Sequence, residues 1–380
     1  MLPPYRRVVG FGASILDFVA SVKRFPQPDE KIRSETFDIQ GGGNCGNTLT
    51  CLKRLGVPAC VMVTKVGSDP IGAQTIQLMR DEGIDTGQVL VREGLSSAFT
   101  YIIVDQHDAT RTCIHTPTEE YLESELNPTI LDGADLLHLD GRHTAAAIQL
   151  AKWANERGVP VVLDCEKDRP LLALLLPLAD YIVTSSSFPS QMTNIAEPIE
   201  AAMHALMHMC GRVRVLVTTR GSKGSLMMIR APSTPPDATA TYTSPLPPPP
   251  PPQSGPIFSA RSPRSLPSVV SFSSKVDELP QGSIPLSIRV DQYIPASCPT
   301  NETHPPFDII HCSAWPLERS VVDTTGCGDT FIGAFIYGLL YNLSPAKTLA
   351  LGSFVAGQKC LKPGARQGIP RRSNIPPNLL

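Results

Sequence analysis

A short run of residues near the carboxyl-terminal end of the chain has the composition of a phosphate-binding turn. It reads Asp323-Thr324-Thr325-Gly326-Cys327-Gly328-Asp329, and apolar residues at helical spacing follow it. The two glycines allow a tight turn, and the apolar periodicity predicts a helix that begins there. The unpaired N–H groups of residues 326–329 would then converge where the helix dipole also favours an anion. This pattern predicts a binding site for a phosphoryl group in transfer.

The carboxylate of Asp329 lies at the mouth of this predicted anion site. It would repel a phosphate, but it could take a proton from a hydroxyl group that attacks the phosphate. We therefore predict that Asp329 is a general base and that Gly326, Cys327 and Gly328 form an anion hole. A Gly-x-Gly-Asp turn can also be an ordinary strand-to-helix connection. Motifs elsewhere in the chain are therefore needed to distinguish a phosphate-binding turn from such a connection.

A second polar, glycine-rich stretch precedes an earlier predicted helix. It reads Gly41-Gly42-Gly43-Asn44-Cys45-Gly46-Asn47. Consecutive glycines allow the backbone to approach a ligand closely, and Asn amides offer both donors and acceptors to a polyol. Asp17 ends an apolar strand, which is where α/β proteins collect ligands, although it could also be an ordinary turn carboxylate. The predicted substrate contacts are therefore Asp17, Gly42, Gly43, Asn44 and Asn47.

Apolar strands and amphipathic helices alternate along most of the chain. This alternation predicts an α/β fold with a mostly parallel sheet that is covered by helices on both faces. Two consecutive β-rich segments, joined by residues 105–110, depart from this alternation. They predict a β-hairpin that lies apart from the main sheet. The hairpin would form a small β lid with Arg111 directed at the substrate. The alternative is that Arg111 is an exposed strand charge.

A glycine turn and a proline-rich stretch follow in the last third of the chain. Residues 217–225 read as a strand, a turn and a return strand, and could form a nucleotide-phosphate loop with Thr219, Gly221 and Gly224, although such turns are common in hairpins. From residue 231 to about 306, proline, serine and threonine dominate, which predicts a disordered insertion within one domain. We interpret it as an inert spacer, with a ligand for an SH3-like or WW-like groove as the alternative. Residues 370–380 are predicted to be a flexible tail.

Composition and charge limit the partners of the chain. The net charge of −2 over 380 residues, without a long basic run, argues against nucleic acid and anionic membranes as main partners. The longest apolar run, residues 171–178, is too short to span a bilayer. The ten cysteines include no C-x-x-C pair, which favours reduced thiols and a cytoplasmic protein. His204 and His208 stand among apolar residues without further ligands, which favours packing over a metal site. A small-molecule partner is expected.

Three motifs together resemble the ribokinase family, also called the PfkB carbohydrate kinases. They are Gly42-Gly43-Asn44-x-x-Asn47, Lys65-Val66-Gly67-Ser68-Asp69-x-x-Gly72 and Asp323-Thr324-Thr325-Gly326-Cys327-Gly328-Asp329. The resemblance covers nearly the whole chain except the proline-rich stretch. Residues 40–44, Asp140-Gly141-Arg142 and residues 355–360 resemble ketohexokinase-like and plant members more than ribokinase.

The resemblance implies a Rossmann-like three-layer α/β/α core with a small β-sheet lid, in one kinase domain that spans residues 1–380. The lid segments would be about residues 13–40 and 98–116. ATP and Mg²⁺ would be the cofactors, and the family allows a monovalent cation as well. Thr219 with Gly221 would line the nucleotide pocket, and Arg111 would reach the substrate or the phosphate. A homodimer through the lid is also expected.

The expected activity is ATP-dependent phosphorylation of a sugar, a ketose or a related polyol, on one of its hydroxyl groups. Two departures from the family pattern stand out. Ser185-Ser186-Ser187-Phe188 occupies the position of an Asn-x-x-Glu motif, so no Mg²⁺ ligands are assigned, and Cys327 in place of alanine adds a thiol beside the anion site. A kinase for a nucleoside or a vitamin precursor is one alternative. A catalytically weak, kinase-like interaction scaffold is the other.

Overall fold

The computed structural model describes residues 6–108, 110–195, 199–230, 285–293 and 307–380. Within these residues, strands and helices alternate as the sequence predicts. The strands are β1 (Arg7–Phe11), β2 (Ile15–Val22), β3 (Thr36–Gly42), β4 (Ala59–Val63), β5 (Lys65–Gly67), β6 (Leu90–Arg92), β7 (Phe99–Asp105), β8 (Thr110–Thr116), β9 (Leu136–Leu139), β10 (Val161–Cys165), β11 (Tyr181–Ser185), β12 (Val215–Thr219), β13 (Ser225–Arg230), β14 (Ile288–Tyr293) and β15 (Phe307–Cys312).

In the described part of the chain, eight α-helices connect or cover these strands. They are α1 (Asn44–Arg54), α2 (Pro70–Asp81), α3 (Thr144–Glu156), α4 (Leu172–Leu175), α5 (Phe188–Thr193), α6 (Ile199–Met209), α7 (Cys327–Leu340) and α8 (Pro345–Lys359). None of the helices in the described part of the chain is both long and apolar enough to cross a membrane.

The core of the protein is a nine-stranded sheet with the strand order β14-β15-β13-β12-β11-β10-β9-β1-β4. The strands from β12 to β4 in this order run parallel, and β13, β15 and β14 add antiparallel neighbours at one end. Helices α1, α2, α7 and α8 pack on one face, where Val8 and Val162 point, and α3 to α6 pack on the other, where Val9 and Leu163 point. The predicted α/β class, with three layers, is therefore confirmed.

A separate four-stranded sheet, with the order β3-β2-β7-β8, stands apart from the core. Strands β7 and β8 form the antiparallel hairpin that the sequence predicts, and β2 joins β7 in parallel. Because side chains alternate along a strand, one face of this sheet directs Asp17, Thr100 and Arg111 into a cavity beside the core. We call this four-stranded sheet the lid.

The predicted disordered insertion at residues 231–306 was wrong for residues 285–293. Strand β14 pairs antiparallel with β15, from Ile288 opposite Cys312 to Tyr293 opposite Phe307, and forms the edge of the large sheet. The remainder of the predicted insertion, residues 231–284 and 294–306, lies outside the described residues.

The predicted flexible tail at residues 370–380 is packed instead. Ile375 and Leu379 are 4% and 0% exposed and belong to the hydrophobic core beneath α7 and α8. The Nζ of Lys347 donates to the carbonyl oxygen of Leu380 at 2.9 Å. Burial of these two apolar side chains anchors the tail, although its composition is polar and rich in proline.

Candidate active site

The turn before α7 has the shape that the sequence predicts. Gly326 adopts a left-handed conformation with φ of 73°, and a Cβ atom there would lie 2.8 Å from the carbonyl oxygen of Ala365. Only glycine fits this position without strain. The carbonyl oxygen of Gly326 accepts from the backbone N–H of Thr330 at 2.9 Å and from its hydroxyl at 2.6 Å, which starts the helix.

Three backbone N–H groups at this turn are available to an anion. Within the described residues, no acceptor takes the N–H of Gly326, Gly328 or Asp329. The N–H of Cys327 differs from the expectation, because it donates to the carbonyl oxygen of Thr324 at 3.2 Å and is used inside the turn. The predicted anion hole therefore consists of residues 326, 328 and 329, and Cys327 contributes to the turn itself.

The side chain of Asp329 is held by a residue far away in the sequence. Its Oδ2 accepts a hydrogen bond from Nδ2 of Asn47, in the first turn of α1, at 2.8 Å. Burial raises the pKa of Asp329 to about 7, and the hydrogen bond from Asn47 opposes this effect. A carboxyl group with such a pKa can accept a proton near neutral pH, which is the property required of a general base.

Sequence reasoning missed the buried cation of the site, Arg366. Its Nε donates to Oδ1 of Asn47 at 2.9 Å, and one terminal nitrogen donates to the carbonyl oxygen of Gly42 at 2.8 Å. Asn47 thus bonds to Arg366 and Asp329 at once, which leaves its amide one N–H and one lone pair for a ligand. Asn47 lines the cavity, so its predicted contact with a substrate stays a prediction, while the rest of its amide holds the carboxylate of Asp329.

The glycines just before α1, and Gly46 in its first turn, make room for the chain's own charged groups. A Cβ atom at Gly41 or Gly46 would lie 2.2 Å or 2.4 Å from the guanidinium of Arg366. A Cβ atom at Gly42 would lie 2.1 Å from the carboxylate of Asp17. The sequence interpretation, that these glycines allow close approach of a ligand, is corrected for Gly42, which does not line the cavity.

Asp17 lies on the lid and is 5% exposed. Burial raises its pKa to about 6, and the nearby charge of Arg366 and a hydrogen bond from Thr100 oppose this effect. Asn44 lies opposite, where its Nδ2 donates to Oδ2 of Asp164 at 3.3 Å. Burial also raises the pKa of Asp164 well above its ordinary value. Asp164 is the penultimate residue of β10 and was not singled out from the sequence, although a carboxylate near the end of a parallel strand carries the signal that was assigned to Asp17. The prediction that Asp17 itself ends a strand was wrong, because Asp17 is the third residue of β2.

Arg111 bridges the lid and the turn of residues 323–329 before α7, which we call the anion turn. One terminal nitrogen donates to Oδ1 of Asp323 at 3.2 Å and to the hydroxyl of Thr324 at 2.9 Å. Oδ2 of Asp323 accepts the N–H of Gly364 at 2.7 Å. Asp323 therefore joins the lid, the turn before α7 and the carboxyl-terminal loop. Arg111 is neither a free strand charge nor directed only at the cavity.

A cavity of about 380 Å³ brings most of the predicted site together. The predicted residues that line it are Asp17, Gly43, Asn44, Asn47, Arg111, Thr219, Gly326, Gly328 and Asp329. Arg142, Glu166 and Lys167 also line it and were not predicted. Phe, Tyr and Trp side chains are absent from the described residues around this cavity. An adjoining cavity of about 750 Å³ shares Ile15, His115 and Arg142 with it.

The predicted nucleotide loop is only partly at the cavity. Thr219 lines it, but Gly221 and Gly224 do not. Gly224 has φ of 82°, and a Cβ atom there would lie 2.0 Å from the carbonyl oxygen of Cys312. These two glycines shape the tight turn between β12 and β13, which sets the position of Thr219.

Metal ligands are sparse in this region. Nowhere in the described ranges do three His, Cys, Asp or Glu side chains gather in an arrangement that could hold a metal ion. The carboxylate of Glu166 faces the cavity, and the hydroxyl of Ser185 donates to the carbonyl oxygen of Glu166 at 3.0 Å. Mg²⁺ in phosphoryl-transfer sites needs only one or two protein carboxylates, because phosphate oxygens and water complete its coordination.

The family assignment agrees with this geometry. The model of the pfkB family carbohydrate kinases matches residues 6–247 and 311–372. The chain therefore belongs to the pfkB family and is a sugar kinase of ribokinase-like fold. This assignment confirms the family that the three sequence motifs indicate.

Individual relatives share the fold at low sequence identity. Ketohexokinase from Mus musculus is 20% identical over 365 residues, which cover 93% of this chain and 96% of that protein. The structure of Arabidopsis thaliana ribokinase complexed with ribose and ATP has a TM-score of 0.68 at 20% identity and covers 99% of both chains. A putative ribokinase II from E. coli, in complex with ATP and Mg²⁺, has a TM-score of 0.67 at 15% identity and covers 97% of both chains.

The raised pKa of Asp17 predicts a pH-dependent change in stability. Its ordinary value is 3.8 and its folded value is about 6, so the folded chain keeps a proton that the unfolded chain has already released. The stability that this proton provides is complete below the unfolded pKa and is lost as the pH rises through 6. Between about pH 4 and about pH 8, the free energy of unfolding of Asp17→Asn should rise by about 2.4 kcal/mol relative to wild type.

Urea unfolding at both pH values measures this difference. Asp29→Asn is the matched control, because Asp29 is an exposed carboxylate in the loop between β2 and β3. Its stability relative to wild type should be the same at both pH values. An equal pH dependence for both variants would contradict the assignment of Asp17 as a buried acid.

Proposed function

We propose that the chain transfers the terminal phosphoryl group of ATP to a hydroxyl group of a sugar, a ketose or a related polyol, with Asp329 as the base. One observation carries this proposal: the carboxylate of Asp329, held by Asn47 at 2.8 Å, shares a cavity with unused N–H groups at a helix N-terminus. A proton acceptor and an anion site so close together suit attack of a hydroxyl on a phosphate.

In this proposal Asp329 takes the proton of the attacking hydroxyl group. Its pKa of about 7 means that a large fraction of the chains hold it ionised at neutral pH. The hydrogen bond from Asn47 fixes one carboxylate oxygen and leaves the other to face the cavity. The proton therefore moves to a group whose affinity for it is matched to the working pH.

The N–H groups of Gly326, Gly328 and Asp329 would bind the oxygens of the transferred phosphoryl group. Their availability, together with the positive end of the α7 dipole, fits an anion at this position. ATP with Mg²⁺, when bound, supplies the phosphoryl group and neutralises part of its charge. Among the carboxylates that line the cavity, Glu166 would hold the metal ion, and Thr219, at the turn formed by Gly221 and Gly224, would contact the nucleotide.

Substrate hydroxyl groups would bind on the side of the cavity formed by the lid and α1. Asp17 offers a carboxyl group, Asn44 keeps its amide oxygen free, and Gly43 exposes its backbone. Arg111 would hold the lid against the turn through Asp323 and exclude water from the reacting atoms. The lack of Phe, Tyr and Trp around the cavity, within the described residues, favours a sugar over a nucleoside base or a vitamin ring, which aromatic side chains commonly stack against.

The scaffold alternative requires a chain that binds sugar without turning it over. The pre-formed contact between Asn47 and Asp329 speaks against it, because an idle site has no need of a positioned carboxylate with a raised pKa.

Replacement of the base tests the proposed reaction. Asp329→Asn keeps the size of the side chain but cannot accept the proton, so the rate should fall by about 10² to 10⁴. A coupled assay of ADP release across a panel of ketoses, aldoses and polyols measures this rate, and NMR of the product identifies the phosphorylated hydroxyl. Asp81→Asn, an exposed carboxylate on α2, is the matched control and should keep the wild-type rate. An undiminished rate for Asp329→Asn would refute the assigned role.

We also propose that a second copy of the chain covers the outer face of the lid. Phe37, Tyr101 and Ile114 are 59%, 49% and 52% exposed, and Tyr101 pairs with both Phe18 and Ile114 across neighbouring strands. These side chains form an apolar patch on the face opposite the cavity, and exposed apolar patches of this kind commonly mark interfaces.

Sedimentation velocity tests the assembly. Wild type should sediment as a dimer at micromolar concentration, and Tyr101→Glu should shift it towards the monomer because a charge would be buried in the interface. A wild-type chain that is monomeric across the concentration range would rule out the lid interface.

A further inference from the structure

Two cysteines meet directly beneath the anion turn. Cys327 is the first residue of α7, and Cys360 follows the last residue of α8. Their sulfur atoms lie 3.0 Å apart, and both residues are half-buried with free thiols. The other described cysteines are fully buried, apart from the exposed Cys113 on the lid. These are therefore two partly exposed residues whose thiols are in contact with each other.

The surroundings of the pair connect it to the anion turn. The fully buried Lys359 precedes Cys360, and its Nζ donates to the carbonyl oxygen of Asp323 at 2.8 Å. The carbonyl oxygen of Cys360 accepts the N–H of Val322 at 2.8 Å and that of Asp323 at 3.2 Å. The end of α8 thus supports the segment that leads into the turn.

The two thiols differ in their readiness to ionise. The hydrogen bond from Cys327, supported by the charge of Lys359, lowers the pKa of Cys360 to about 7 despite its burial. The same contact, together with burial, raises the pKa of Cys327 above its ordinary value. Cys360 is therefore the thiol of the pair that ionises more readily. A thiolate is the form that reacts with peroxides and disulfides.

We propose that Cys327 and Cys360 form a redox modification site, at which a peroxide produces a reversible disulfide that disables the anion turn. The Cys360 thiolate attacks one oxygen of hydrogen peroxide, the O–O bond breaks, and a sulfenic acid and water form once a proton is taken up. The Cys327 thiol then attacks the sulfenic sulfur, the S–S bond forms, and a second water leaves. In total the two thiols lose two hydrogens and the peroxide is reduced to water. A dithiol reverses the process by thiol–disulfide exchange and is itself oxidised.

The bridge would disturb the turn because Cys327 lies between two of its anion-binding residues. The sulfur atoms have to approach by about 1 Å to bond, and we expect this to shift the first turn of α7 relative to α8. A displacement of that size at a reacting centre costs up to about 10²-fold in rate. This consequence rests on the proposed kinase function, whereas formation of the bridge does not.

The experiment uses the full chain and hydrogen peroxide as the probe. After treatment, remaining thiols are blocked, the protein is digested without reduction, and peptides are mapped by mass spectrometry. We expect a peptide pair joined through Cys327 and Cys360, with a fall of about tenfold to hundredfold in kinase rate that dithiothreitol restores.

Two variants separate this bridge from general oxidation. Cys360→Ser should keep the reduced activity within about twofold, form no bridge and resist inactivation by peroxide. Cys113→Ser, which removes the exposed thiol on the lid, should still form the bridge. The proposal is overturned if the mapped peptides lack the bridge, if the bridge forms without loss of activity, or if Cys360→Ser is inactivated as fast as wild type. If the reduced chain has no kinase activity, the proposed function is contradicted and the redox proposal is not. The peptide mapping then still decides whether the disulfide between Cys327 and Cys360 forms.

Discussion

The guanidinium group of Arg366 is a buried positive charge between the two polar stretches that build the site. It bonds to Asn47 and to the carbonyl oxygen of Gly42, and its charge lies close to Asp17. Burial lowers the pKa of Arg366 itself to about 10, so it stays charged at neutral pH and needs these acceptors. A buried charge that loses its partners costs several kcal/mol, which ties the lid, α1 and the carboxyl-terminal loop to one arrangement.

The position of Asp329 follows from this constraint. Because Arg366 fixes the amide oxygen of Asn47, the amide nitrogen is directed at the carboxylate of Asp329, which is oriented by contacts within the chain alone. A second set of contacts fixes the start of the turn before α7. There Asp323 accepts hydrogen bonds from Arg111 of the lid and from the N–H of Gly364. Both sets connect residues that are far apart in sequence. The site is therefore organised by contacts within the chain, which is the preorganisation that phosphoryl transfer depends on.

The sequence predicted the architecture and the two motifs of the site because those features are local. Alternation of strands and helices, and a glycine turn before an apolar helix, can be recognised within a short window. Arg366 could not be found in this way, since its partner Asn47 is 319 residues away and no pattern links them. The glycines before α1 were noticed, but the groups that fill the space beside them lie in other segments of the chain.

Two errors in the fold have simpler causes. Composition led to the prediction of disorder at residues 285–293, although Ile288 and Val290 alternate with Arg289 and Asp291 as in a strand with one buried face. In the tail, the proline-rich composition led to the prediction of flexibility, although Ile375 and Leu379 are apolar. Burial of these two side chains anchors the segment. In both cases a few side chains that find a place in the core outweigh the average composition around them.

In the proposed reaction, Asn47, fixed by Arg366, sets the proton affinity of Asp329. The pH dependence of kcat/KM tests it most directly. Protonated Asp329 cannot act as a base, so the wild-type rate should fall by about tenfold per pH unit below an apparent pKa of about 7. Asn47→Ala should move this acidic limb to higher pH, because its hydrogen bond favours the ionised carboxylate, whereas Asn44→Ala should leave the position of the limb unchanged. A rate independent of pH in this range, or an equal shift in both variants, would contradict the account.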